Sequence, residues 1–266
     1  MKFNTFQDAF IGINNEIIDN HQFEEDSRIG KCYERVGFTY EVADLTSFEF
    51  EDKSVGRLEY GYMNTFYDWM IGGGTDIKSI AEAYPNVAKF LEKPKSADLP
   101  ANFNTFYGPR ILSQLHFIKK ELTTNPNTRR AVISILDKDD LQLLDKDETL
   151  EFPCCDSATF LIRQDRIAPR LNVHLHMRSQ NMGQVMKLDM FLWGKFTCSL
   201  AAELGLMPGA FTSSVVSAHV FIRDVEYLKS LSSKQITKFP DITDLPKEVQ
   251  DQINNSTEHL DLKIKI

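Results

Sequence analysis

The chain is expected to fold as a mixed α+β domain. Two long segments carry apolar residues at helical spacing, shorter extended segments lie between and after them, and no segment repeats. Ile111, Leu115, Ile118 and Leu122 set the first helix, and Asn125-Pro126 ends it because proline disfavours a helical conformation in the residue before it. Ala131 to Leu136 reads as a buried strand. Thr159 to Arg163 and Leu171 to Met177 read as strands of a hairpin joined through Asp165 and Pro169. Leu188, Phe191, Leu192, Phe196, Leu200 and Leu204 define the central buried helix, which Gly205 closes at a position where a left-handed residue is commonly needed. Ser214 to Ile222 is the last strand. Asp137 to Glu148 reads as a charged connection and Asn254 to Ile266 as a polar-to-apolar tail, both solvated surface.

With 266 residues, 42% hydrophobic and 26% charged, the chain is long enough for one domain over residues 1–266 with a deep core. A net charge of -8 argues against direct nucleic-acid binding or an anionic membrane surface, while leaving a small anionic ligand open. No apolar run approaches membrane-spanning length, since even the segment near Phe191 is interrupted by Lys195. Cys32, Cys154, Cys155 and Cys198 show no CxxC spacing, and Met1-Lys2-Phe3-Asn4 lacks a secretory apolar stretch, so reduced thiols in the cytoplasm are the expectation.

Chemistry concentrates at Phe152-Pro153-Cys154-Cys155. A thiol after a proline, with arginine and histidine elsewhere in the chain, has the ingredients of covalent catalysis, because arginine lowers the thiol pKa and the thiolate attacks. Taken alone, both cysteines are equally well small core residues. Arg129-Arg130 read alone as surface charges after a helix, and Asp189 as an N-cap. His174 and His176 face the same way on a strand, yet no third ligand accompanies them, so no metal is expected. Gly72-Gly73-Gly74 lacks the Lys-Ser/Thr of a phosphate loop and reads as a helix end or turn.

The order of Pro153-Cys154, Arg178-Ser179, Asp189, Gly205-Leu206-Met207-Pro208-Gly209-Ala210-Phe211 and His219 resembles the thymidylate synthase and pyrimidine-nucleotide hydroxymethylase family across most of the chain. The resemblance implies that family's fold, a mixed sheet packed on a long buried helix, with the sheet forming the interface of a homodimer. It implies Cys154 as nucleophile, with Cys155 beside it where synthases usually carry His. It also implies a phosphate site of Arg28, Arg129, Arg130, Arg178 and Ser179, with the Arg129-Arg130 pair reaching into the neighbouring subunit. Guanidinium forks suit a phosphate dianion. Tyr107-Gly108 matches the family's Tyr-Gly near the active site.

Eleven residues beyond Arg178, Asp189 stands where synthases hold an Asn that meets uracil's N3–H and O4 together. An ionised Asp only accepts, which suits the 4-amino group of cytosine, and cytosine hydroxymethylases of the family carry Asp there. Three positions depart from the pattern. Phe66 stands where a helical Glu relays protons, with Asp68 the nearby carboxylate, although two residues along a helix is the wrong face. Asn181 replaces an Asp that contacts the folate, and Phe221 replaces the Tyr that binds the sugar together with His219. The resemblance therefore implies folate-dependent C5 hydroxymethylation of a cytosine nucleoside monophosphate by 5,10-methylenetetrahydrofolate. The alternatives are C5 methylation of dUMP and a non-catalytic nucleotide-binding relative.

Overall fold

A computed structural model describes residues 1–27, 30–48, 60–83, 102–103, 107–145 and 151–232. The chain divides into two compact units, Met1–Lys229 and Ser230–Ile266, and of the second only residues 230–232 are described. Arg28 and the tail from Asn254 lie outside the described residues.

Seven strands form one mixed sheet among the described residues: β1 (Lys2–Phe3), β2 (Phe23–Ser27), β3 (Gly30–Val42), β4 (Val132–Ser134), β5 (Cys155–Gln164), β6 (Pro169–Asn181) and β7 (Met207–Phe221). Their order is β1-β3-β7-β6-β5-β4, with β2 also on β3. β6 and β7 run parallel, and β3, β5 and β4 are each antiparallel to their inner neighbours. The helices are α1 (Phe6–Asn20), α2 (Tyr60–Ile71), α3 (Ile77–Ala83), α4 (Tyr107–Thr124), α5 (Asp140–Asp145), α6 (Met186–Glu203) and α7 (Val225–Ser232). No helix among the described residues is long and apolar enough to cross a membrane.

α1 starts where Thr5 and Asp8 exchange a reciprocal capping box, and it buries Phe6, Ala9, Phe10, Ile13 and Ile17. The expected helix at Ile111 is α4, and it stops at Thr124, just before Asn125-Pro126. α6 is buried on nearly every side, including Met190, Phe191, Trp193 and Phe196, as the sequence pattern predicts for a central helix. Gly205 takes φ 68° immediately after it, and the amide of Leu206 closes the helix on the carbonyl of Ala201 at 2.9 Å.

Two strands differ from expectation. The Ala131–Leu136 strand is regular only over Val132–Ser134, although backbone bonds to β5 continue at Ala131, Ile135 and Leu136. The final strand begins at Met207, seven residues before Ser214, so the Pro208-Gly209 pair lies inside β7. The side chain of Asn172 explains this, because its Oδ1 accepts the Ala210 amide at 2.8 Å beside an irregularity in the β6–β7 pairing. Gly209 is required there, since a Cβ would sit 2.4 Å from that oxygen. The charged connection also differs from a solvated loop: it contains α5, and Asp140 is buried in a two-point ion pair with Arg110 at 2.6 and 2.7 Å.

The chain from Pro169 to Phe221 forms a strand–helix–strand crossover, and α6 packs on both β6 and β7. Parallel strands need such a crossover, which returns the chain to the same end of the sheet. The first turn of α6 therefore lies at the C-terminal ends of β6 and β7. On β6, His174 hydrogen-bonds Ser214 of β7 at 3.0 Å, and His176 pairs with Asp156 of β5 at 2.8 Å.

Candidate active site

Several element ends meet at this end of the sheet. β5 begins at Cys155 opposite Met177 of β6, and near the start of β3 Glu34 lies opposite His219 of β7. α4 joins them through its first residue, where the Tyr107 hydroxyl accepts the Cys155 amide at 3.3 Å. The C-terminal ends of crossover-linked parallel strands are where open α/β sheets commonly hold ligands.

Cys154 and Cys155 are both free thiols with different surroundings. Cys155 is fully buried, and its thiol points back to the Ser157 carbonyl at 3.6 Å. Cys154 remains partly accessible, and Nη2 of Arg178 approaches its sulfur at 3.8 Å. The backbone builds this contact, since the Arg178 amide donates to the Cys154 carbonyl at 3.0 Å. The guanidinium is held in place by Nε to the Pro153 carbonyl at 2.6 Å, Nη2 to the Phe152 carbonyl at 3.1 Å, and stacking over the Phe152 ring at 4.8 Å. Nη1 has no hydrogen-bond partner among the described residues.

Burial raises the Cys154 thiol above its ordinary range. Arg178 opposes this, but burial prevails, with the charges of Asp189 and Asp156 adding to it. Arginine lowers the thiol pKa as expected, but burial outweighs it and leaves a resting thiol beside a cation. Burial likewise raises the Cys155 thiol and the Tyr107 phenol, so Tyr107 keeps its proton.

Asp189 lies in the first turn of α6 and is buried. It is not the N-cap: Val185 holds that position and makes no side-chain capping bond. Its Oδ2 accepts from Nε2 of Gln180 at 2.9 Å, and the Gln180 Oε1 accepts from the Tyr40 hydroxyl at 3.3 Å. Burial raises the Asp189 carboxyl from 3.8 to about 7, with the Gln180 bond pulling the other way. Oδ1 has no hydrogen-bond partner among the described residues.

On β6 and β7, Ser179 pairs with Ser217 and Asn181 with His219, either side of the Gln180–Ala218 pair. Burial lowers the His219 pKa, so the imidazole is neutral near pH 7. Phe221 is buried and meets the His219 ring edge-on at 5.2 Å. Asn181 accepts the Gln184 amide through Oδ1 at 3.2 Å.

Three expected residues are not brought to this cluster within the chain. Asp68 is exposed on α2, outside the buried stripe of Met63, Phe66, Tyr67 and Met70. Phe66 is buried between Tyr62 and Trp69 at ring distances of 5.8 and 5.5 Å. Arg129 and Arg130 are exposed at the far end of α4 from Tyr107, a helix of 18 residues and so about 27 Å long at 1.5 Å per residue. There Arg130 binds Glu121 through Nε at 3.0 Å and Nη2 at 2.9 Å.

Gln180 and Tyr40 are site-adjacent residues that sequence reasoning missed. Alternation through Leu171, Val173, Leu175 and Met177 assigns Gln180 to the outward set, yet it is buried. Past Met177 the strand has no β5 partner, and Gln180 bonds to Asp189 on α6. A polar residue beside Arg178-Ser179 is the one sequence signal available.

A family model described as thymidylate synthase matches residues 24–265. A thymidylate synthase of Clostridium beijerinckii is 24% identical over 91% of this chain and 86% of its own length. A thymidylate synthase of Herpesvirus ateles is 27% identical over 50% of this chain, and one of Homo sapiens 26% over 53%, each across 42% of its own length.

Proposed function

The chain belongs to the thymidylate synthase family, whose members transfer a one-carbon unit from 5,10-methylenetetrahydrofolate to C5 of a pyrimidine nucleotide, and from that premise we propose that its substrate is a cytosine nucleoside monophosphate and its product the 5-hydroxymethyl nucleotide. The observation that carries the base assignment is Asp189, a buried carboxyl with one oxygen held by Gln180 and the other left for the base. Ionised, that oxygen accepts from the 4-amino group of cytosine; protonated, it donates to N3. Against uracil O4 the ionised form sets two acceptors together.

Cys154 is the nucleophile. Its sulfur adds to C6, the C5–C6 π electrons move to C5, and Arg178 stabilises the thiolate that must form first. When bound, the folate supplies the one-carbon unit that C5 takes up. Asn181 suits the pterin as a donor, because its Oδ1 is engaged by Gln184 and its amide nitrogen is left over. Loss of the C5 proton with departure of tetrahydrofolate, addition of water at the new exocyclic carbon, and departure of Cys154 from C6 complete the hydroxymethyl product. Tyr107, which keeps its proton beside Cys155, supplies a hydroxyl where Phe66 supplies none. Nη1 of Arg178 and the Ser179 hydroxyl bind the phosphate, and neutral His219, backed by Phe221, binds the sugar hydroxyl. Arg129 and Arg130 complete the phosphate site of the partner in a homodimer.

Methylation of dUMP is the second reading. The raised pKa of Asp189 favours it, because a protonated acid also donates to O4. Tritium release from 5-tritiated dCMP and dUMP, measured across pH with the folate present, separates the two. The expected result is a dCMP-to-dUMP ratio in kcat/KM that rises as pH passes about 7, where the acid ionises, and no release at all from Cys154→Ala. Preferred release from dUMP at every pH sinks the cytosine assignment, and full activity of Cys154→Ala sinks the nucleophile. Tight nucleotide binding without any release favours the non-catalytic relative, which the buried Phe66 supports.

A further inference from the structure

We propose that Gln180, oriented by Tyr40, is a positioning residue for base recognition: by occupying Oδ2 of Asp189 it reserves Oδ1 as the oxygen that reads the base. The inference rests on the reading of Asp189 as the base-recognition group.

Three buried polar side chains form a directed chain from β3 through β6 to α6, with Tyr40, Gln180 and Asp189 exposed by 0%, 1% and 4%. A glutamine amide has a donor end and an acceptor end, and rotating it by half a turn exchanges them. The Tyr40 hydroxyl donates to Oε1 at 3.3 Å and so turns Nε2 toward Asp189, where it donates to Oδ2 at 2.9 Å. Burial pushes the Tyr40 phenol up, so it remains a donor at every pH at which the enzyme works.

With Nε2 directed at Oδ2, a proton on Asp189 belongs on Oδ1. Both charge states then present one defined oxygen to the base, a donor when protonated and an acceptor when ionised. Among the described residues the Asp189 charge raises the pKa of Tyr40, Tyr107, Cys154 and Cys155, and all four are uncharged near neutrality.

Gln180→Leu removes the donor, so the carboxylate loses a hydrogen bond and holds its proton to higher pH. The expected midpoint shift is about one unit or more, the size of one charge-assisted hydrogen bond. Tyr40→Phe retains the ring and frees the amide to rotate, giving a smaller shift in the same direction. The double variant should match Gln180→Leu alone, because both act through one bond.

Two readouts are needed: the Asp189 midpoint by carboxyl-carbon NMR in the nucleotide-free protein, and the pH profile of the dCMP-to-dUMP ratio. Both should move upward together, with the ratio near pH 8 falling about tenfold in Gln180→Leu. Unchanged profiles in Gln180→Leu and Tyr40→Phe, while Asp189→Asn alters the ratio, overturn the positioning role and leave the base reading standing. An unaltered ratio in Asp189→Asn overturns the base reading itself. Should Gln180→Leu fail to fold, Tyr40→Phe decides the matter by the same profile.

Discussion

Cys154 is held by two opposed influences, burial that favours the thiol and the Arg178 guanidinium that favours the thiolate. Asp189 adds a third, because its charge raises the same thiol, so the proposed nucleophile and the proposed base-reading acid are electrostatically coupled. Asp189→Asn removes that charge and should speed alkylation of Cys154 by iodoacetamide near pH 8, whereas Arg178→Ala should slow it. Equal rates in all three proteins would show that neither charge reaches the sulfur. Asp189 also ties stability to pH. Its folded-state pKa is raised from 3.8 to about 7, so the native state keeps a proton that the unfolded chain has released. The resulting stabilisation is full below the unfolded value near 4 and is lost as pH rises through about 7. Urea unfolding should therefore show stability falling over that window, by at most about 4 kcal/mol for a shift of this size, and Asp189→Asn should flatten the fall. A slope left intact in that variant would contradict the raised pKa of Asp189.

At the scale of elements, two glycines limit the helices for different reasons. Gly108, in the first turn of α4, lies so close to the end of α2 that a Cβ would meet the Met70 carbonyl oxygen at 2.6 Å and the Gly73 Cα at 3.3 Å. Those atoms are backbone and yield only if a helix moves. Gly108→Ala should cost about 1–3 kcal/mol as an overpacking change, and it should reduce kcat/KM as well, because Tyr107 moves with the helix. Gly205 closes α6 at φ 68° with nothing near the place a Cβ would occupy. Gly205→Ala should cost about 1 kcal/mol from backbone strain alone and leave kcat/KM unchanged. Thermal melts and steady-state assays on the pair check this, and equal activity losses would show that the α2–α4 contact does not position the site.

For the whole molecule, the length of α4 separates the proposed phosphate ligands. Tyr107 lies at the end that meets Cys155, and Arg129-Arg130 lie beyond the other. Mixing Arg130→Ala chains with Cys154→Ala chains should restore part of the tritium release, since each dimer could then assemble one intact site. No recovery after confirmed subunit exchange would confine the site to one chain. The sequence by itself determined the α+β class, the long buried helix with its glycine stop, and the candidate residues Cys154, Arg178, Ser179, Asp189 and His219. Those features are local, set by apolar periodicity, a left-handed glycine, and residue types whose order along the chain carries the family resemblance. Only the tertiary structure decided that β7 extends back through Pro208-Gly209, because its support is the side chain of Asn172 on the neighbouring strand. It gave the physical difference between Cys154, which the family order already singled out, and Cys155, since that difference is a guanidinium 24 residues away in sequence. It reversed the expected shift of the thiol, because desolvation depends on the surrounding protein, and it brought Gln180 and Tyr40 to Asp189 across three elements. Burial and long-range hydrogen bonding arise between segments, and a pattern read along one segment does not contain them.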